Sequence, residues 1–165
     1  SLVTRMGAEE YFARAAEAGV DGVIIPDLPA DEGGAVARLA LRAGLYPVFL
    51  VAPTTPPERT RIIARRSKGF IYYVSVTGTT GARRELPPDL AEHIAAVQSV
   101  ARQPVAVGFG VSRPEQVAAV ARIADGVIVG SAIVRKVHEL SALPRAELVA
   151  AAGEFAAELA AHKKK

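Results

Sequence analysis

Five short runs of Val, Ile and other apolar residues recur along the chain, at 22–25, 47–51, 70–76, 104–107 and 126–129. None alternates cleanly between apolar and polar positions. Continuous apolar runs of this length fit parallel strands buried on both faces. Each run is followed by Gly, Pro, Asp, Ser or Thr, and then by a stretch with helical periodicity. Strand starts lie roughly 21 to 34 residues apart, the size of a strand–helix–strand crossover. A helix over 8–18, stopped by Gly19, precedes the first run. The expected order is one helix and then five strand–helix units, an α/β chain with a parallel sheet.

The helix starts are written in capping residues. Thr55-Pro56-Pro57-Glu58 reads as an N-cap, two prolines in the first turn and a capping-box Glu. Ser112-Arg113-Pro114-Glu115 has the same layout. Asp89 opens a helix over 90–100. Asp27 or Asp31 opens one over 35–42, which Gly44 stops. The last helix, 145–162, carries Leu148, Ala152, Phe155 and Leu159 on one stripe. Val20-Asp21-Gly22-Val23-Ile24-Ile25 is echoed by Ala124-Asp125-Gly126-Val127-Ile128-Val129, as repeated units would leave it. In both copies Asp-Gly precedes the strand. It therefore belongs to the N-terminal edge of the sheet, where it reads as structural.

With 165 residues, half of them apolar, the chain is expected to form one domain over 1–162, followed by a basic tail over 163–165. The net charge of +3 equals the three terminal lysines, so the body is balanced and carries no nucleic-acid signature. Cys is absent, which excludes disulfides, thiolate metal sites and cysteine nucleophiles and fits a cytoplasmic protein. No apolar run approaches the ~20 residues of a membrane span. The chain opens on Ser1-Leu2-Val3-Thr4 without Met, as a fragment or a processed form does.

Ligands of parallel α/β folds bind beyond the carboxyl ends of the strands. Gly108-Phe109-Gly110 ends one strand, and Gly130-Ser131 ends the next and starts a helix. Unobstructed N–H groups at a helix N-terminus suit a phosphate dianion, and Thr80-Gly81 could reach the same anion. The stretch 77–87 reads as a lid over the substrate. Asp27 is the only carboxylate at a strand end; it either orients a substrate or loop N–H or caps a helix. Of Tyr72 and Tyr73, alternation sends one inward and one outward. His93, His138 and His162 have no neighbouring ligands, and no strand carries a lysine for Schiff-base chemistry. A pair of catalytic carboxylates is missing as well.

Four segments together resemble one family. They are Gly19-Val20-Asp21-Gly22-Val23-Ile24-Ile25-Pro26-Asp27-Leu28-Pro29; Tyr72, Ser75 and Thr77-Gly78-Thr79-Thr80-Gly81; Gly108-Phe109-Gly110-Val111-Ser112-Arg113-Pro114-Glu115-Gln116-Val117; and Asp125-Gly126-Val127-Ile128-Val129-Gly130-Ser131-Ala132-Ile133-Val134. In order and spacing they are similar to the tryptophan synthase alpha chain.

The resemblance implies a (β/α)8 barrel, here an incomplete one of about five parallel strands. It implies retro-aldol cleavage of indoleglycerol phosphate to indole and glyceraldehyde 3-phosphate, a lyase step of tryptophan biosynthesis. It implies a beta chain as partner, which alone carries pyridoxal phosphate. Gly81, Phe109, Gly110, Gly130 and Ser131 then match phosphate binders, Ile24 and Leu50 line the indole pocket, and Tyr72, Asp27 and Thr80 support catalysis. The family's catalytic Glu and Asp are expected upstream of Ser1, which would leave this chain inactive alone. The competing readings are another phosphate-binding barrel isomerase and a truncated non-catalytic partner of the beta chain. Self-association through open barrel edges is a further expectation.

Overall fold

The computed structural model describes residues 2–75, 86–108 and 110–161. In chain order the elements are α1 (Leu2–Met6), α2 (Ala8–Glu17), β1 (Gly22–Ile24), α3 (Gly34–Arg42), β2 (Tyr46–Val48), β3 (Leu50–Val51) and α4 (Pro57–Arg66). There follow β4 (Ile71–Val74), α5 (Leu90–Gln98), β5 (Val105–Gly108), α6 (Pro114–Ala121), β6 (Gly126–Val127), α7 (Ser131–Glu139) and α8 (Arg145–Ala160). Every strand pair is parallel. β1 pairs with β2, and β3, β4, β5 and β6 form a second sheet in that order. No helix among the described residues is long and apolar enough to cross a membrane.

The run 47–51 is expected to be one strand and is two. The break falls at Phe49. Its N–H is donated to the Ser67 hydroxyl at 3.3 Å, while its carbonyl accepts the N–H of Tyr72 at 3.2 Å. The buried ring fills the space beside Gly33, where a Cβ would come within 2.8 Å of it. One apolar run thus serves two sheets, because a side chain between them is needed under α3.

The helix expected over 8–18 is present as α2, and a further short helix, α1, precedes it across Gly7 with φ +85°. Neither Asp27 nor Asp31 opens α3. Its N-cap is Gly33, whose N–H is donated to the Pro29 carbonyl at 2.8 Å, and Asp31 instead pairs with Arg59 at 2.6 Å. At α4 the N-cap is Pro56 rather than Thr55; the Thr55 hydroxyl accepts the Ala52 N–H at 2.9 Å and closes the β3–α4 turn. α5 starts after Asp89 as expected and ends at Gln98, two residues early. The stripe on α8 is present, with Leu159 buried and Leu148, Ala152 and Phe155 half-buried.

Strand alternation sorts the sheet into two faces. Val51, Tyr73, Val107 and Val127 are in register across β3 to β6. The first three are buried beneath the helices with Ile63, Ile94 and Val120. Leu50, Tyr72, Ala106 and Gly126 form the adjacent row. They point to the other face and are only half-buried. Among the described residues, β1 and β6 each have one strand neighbour. The architecture is an arc of parallel strands with helices outside and a less covered concave face.

Candidate functional site

The arc brings the ends of β5 and β6 side by side. Ala106 and Val107 pair with Gly126 and Val127, and the Ile128 N–H reaches the Val107 carbonyl at 2.8 Å. The segments that follow therefore leave the sheet as neighbours. Gly110 follows β5 with φ +84°, a left-handed conformation that glycine adopts without Cβ strain. Gly130 is the N-cap of α7, and a Cβ on it would have nothing within 4 Å. Ser131 is the first residue of that helix. Its first-turn N–H groups carry the partial positive charge of the helix.

Two buried side chains hold these ends in place, and sequence reasoning gave neither a site role. The Ser75 hydroxyl donates to the Gly108 carbonyl at 2.8 Å, and the Ser75 N–H donates to the same oxygen at 3.1 Å. This ties the end of β4 to the end of β5. Gln116 is 5% exposed. Its Oε1 accepts the N–H groups of Ser112 at 3.0 Å and Arg113 at 3.2 Å. The reciprocal half of a capping box is thus present at the start of α6, supplied by Gln116 at N3 and not by Glu115, with the N-cap at Arg113 rather than Ser112. The available signal was an Oε1 three residues beyond the N-cap.

Tyr72 lies on the concave face. A Cβ on Gly108 would stand 2.5 Å from its hydroxyl oxygen, so glycine there leaves room for the ring. Burial raises its pKa above the usual tyrosine value, which keeps the hydroxyl protonated and able to donate. Leu50 is its register neighbour on β3, and Ile24 on β1 is 41% exposed. Asp27 lies exposed in the turn after β1, away from the start of α3. Thr80, Gly81, Phe109, the rest of the expected lid as far as residue 85 and the basic tail fall outside the described residues. Gly110 follows β5 and Gly130 and Ser131 follow β6, which are neighbouring strands, and Tyr72 lies within β4, the strand on the other side of β5.

Tyr73 points the other way. It is 1% exposed, its hydroxyl has no hydrogen-bond partner among the described residues, and burial together with the Asp89 charge pushes its pKa up to about 12. An unfolded tyrosine loses its proton near 10. Between these values the unfolded chain binds fewer protons, so stability is constant below about pH 9 and falls as pH rises from 10 to 12. Tyr73→Phe is expected to flatten that fall and to gain about 1 kcal/mol at pH 7, because a buried donor without a partner is removed. Urea unfolding of both proteins between pH 7 and 12 measures it. A loss of stability at pH 7 would contradict the assignment.

Parallel strand–helix units in this order, with helices outside and a less covered concave face, define a segment of a (β/α) barrel. Comparison with known proteins specifies it further. The profile of the tryptophan synthase alpha chain matches residues 1–164, and the chain belongs to that family. It is 48% identical to the tryptophan synthase alpha chain of Geobacillus kaustophilus over 94% of its own length and 58% of that protein's. With that of Methanocaldococcus jannaschii it shares 45% identity over 84% of its length and 50% of the relative's. Among solved structures, one of the tryptophan synthase a2b2 complex from Pyrococcus furiosus superposes with a TM-score of 0.85 at 36% identity. That match covers 98% of this chain and 64% of the other. The chain thus spans a little over half the length of the curated relatives it matches. Family membership removes the isomerase alternative.

Proposed function

We propose that this chain is the phosphate-holding part of a lyase that cleaves indoleglycerol phosphate to indole and glyceraldehyde 3-phosphate. The observation that carries the reading is the pair of neighbouring strand ends, with Gly110 in the left-handed region and α7 starting at Gly130, where a Cβ would meet nothing within 4 Å. Gly110, Gly130 and Ser131 receive the phosphate, with Gly81 and Phe109 added from the family resemblance. Tyr72, Leu50 and Ile24 border the indole end, and Asp27 and Thr80 support catalysis. The beta chain is the partner and holds the pyridoxal phosphate; none is assigned to this chain. A cytoplasmic setting agrees with the absence of cysteine.

Glycerol 3-phosphate tests the cradle without requiring turnover. Calorimetric titration of the 165-residue chain is expected to saturate. Gly130→Asp adds no clash, because its Cβ meets open space, but it puts a negative charge at the helix start. Binding is then expected to weaken by at least about tenfold, the cost of roughly 1.4 kcal/mol of repulsion. Unchanged affinity in Gly130→Asp, or no saturable binding in the parent, would overturn the reading. In a steady-state assay the same polypeptide alone is expected to turn over indoleglycerol phosphate at background, because Asp27 is its only strand-end carboxylate and general acid–base help is worth ~10² to 10⁴ for each group. Turnover at the level of an intact alpha chain would refute that expectation.

A further inference from the structure

Gly108 ends β5 and stands in register with Val74 of β4. Its carbonyl oxygen accepts two hydrogen bonds from one residue of the neighbouring strand end, the Ser75 N–H at 3.1 Å and the Ser75 hydroxyl at 2.8 Å. The first is what a parallel ladder supplies. The second is not, and it depends on the side chain. A carbonyl oxygen has two lone pairs, so both are in use. Ser75 is 1% exposed, which leaves little water to compete for the bond.

The place of that bond matters because of what Gly108 lacks. Without a Cβ, glycine has no strong preference for one backbone conformation, and it loses more freedom on ordering than any other residue. The direction in which the chain leaves β5 is therefore held from outside, by Ser75. Two residues on, Gly110 has φ +84°. Beyond it Val111 is buried, and the N–H groups of Ser112 and Arg113 are held by the Gln116 side chain at 3.0 and 3.2 Å. Gly110 thus lies between two anchors. The Gln116 anchor is local and also serves the start of α6. Ser75 reaches Gly108 from the end of another strand, 33 residues earlier in the chain.

We propose that Ser75 is a positioning residue for the phosphate: its hydroxyl fixes the exit of β5, so that Gly110 is already in place when the anion arrives. The inference rests on the phosphate reading of this strand end and extends it to a side chain that acts through Gly108. Preorganisation of this kind raises affinity by removing an ordering cost from the binding step.

Glycerol 3-phosphate is the probe, titrated by calorimetry into the 165-residue chain and three variants. Ser75→Ala removes the donor and is expected to weaken binding about fivefold to tenfold, the worth of one net hydrogen bond. Ser75→Cys donates only weakly and is expected to fall between Ser75→Ala and the parent. Ser67→Ala is the control. That serine is also fully buried, and its hydroxyl accepts the Phe49 N–H at 3.3 Å in the segment before β4. Its loss is expected to lower stability to urea, as Ser75→Ala does, and to leave the affinity unchanged. Nitrogen-15 relaxation gives a second readout that needs no ligand. In Ser75→Ala the Gly110 amide is expected to lose order, while the Gly130 amide, which follows β6, keeps it. If Ser75→Ala fails to fold, Ser75→Cys carries both measurements. Parent affinity in Ser75→Ala, an equal loss of affinity in Ser67→Ala, or unchanged order at Gly110 would defeat the assignment. Absence of saturation in the parent would instead sink the phosphate reading, and the relaxation of Gly110 would still decide whether Ser75 holds the exit of β5.

Discussion

Asp125→Ala is expected to destabilise the protein by about 1 to 3 kcal/mol, the cost of leaving a buried donor without its partner. The carboxylate of Asp125 accepts the N–H of Val105 at 2.9 Å, and the N–H of Asp125 is donated back to the Val105 carbonyl at 3.0 Å. The same carboxylate oxygen accepts the Gln98 side-chain amide at 3.3 Å, from the end of α5. One side chain therefore joins the entry to β6, the first residue of β5 and the preceding helix. Val105 is fully buried, so its N–H has poor access to water when the carboxylate is removed. Asp125→Asn retains an acceptor oxygen and is expected to lose less than half as much. Urea unfolding, compared at unchanged slope, measures both. An Ala variant as stable as its parent would show that water replaces the carboxylate.

Gly22→Ala is expected to cost a similar amount, about 1 to 3 kcal/mol, for a steric reason. Gly22 pairs with Tyr46 in the β1–β2 ladder. A Cβ on Gly22 would stand 2.8 Å from the Tyr46 carbonyl oxygen. The obstacle is backbone, so no side chain can turn aside, and the two strands must separate. β1 has no other strand partner among the described residues. Its displacement loosens the small core of Phe12, Val23, Ala40 and Leu45. Gly130→Ala is the control: its Cβ meets nothing within 4 Å, and a change within about 0.5 kcal/mol is expected. Equal stability of Gly22→Ala and the parent would mean that the β1–β2 pairing tolerates a wider spacing.

These two positions show how far the sequence could be read. The Asp-Gly pairs at 21–22 and 125–126 are visible as an internal echo, and both stand at the start of a strand, as expected for structural residues. Their different uses are not visible. At Asp125 the side chain makes the bond across the strands, whereas at Asp21 the backbone carbonyl does so, accepting the Tyr46 N–H at 2.9 Å. The choice depends on which neighbour lies alongside, and that is decided by pairing between distant segments. The helix caps follow the same rule. Glycine stops at Gly19 and Gly44 are legible because positive φ is a local demand. The N-caps at Thr55, Ser112 and before α3 were misplaced, because a Thr hydroxyl or a Gln amide can satisfy any of several nearby N–H groups, and packing selects one.

The candidate site divides in the same way. Glycine at 110 and 130, Ser131, and a tyrosine in the third apolar run were evident from residue type and position at strand ends, and so was the family they resemble. Sequence alone also determined the parallel α/β class, because Val-Ile runs spaced by helical stretches leave few other ways to bury both. The tertiary structure alone decided that the run 47–51 splits between two sheets at Phe49, that Ser75 and Gln116 hold the strand ends, and that Tyr72 faces the concave side while Tyr73 is left with an unpaired hydroxyl beneath α4 and α5. Apart from the local capping bonds of Gln116, each of these depends on contacts between segments far apart in the chain, where burial and hydrogen-bond satisfaction are settled jointly and local residue preference has no vote.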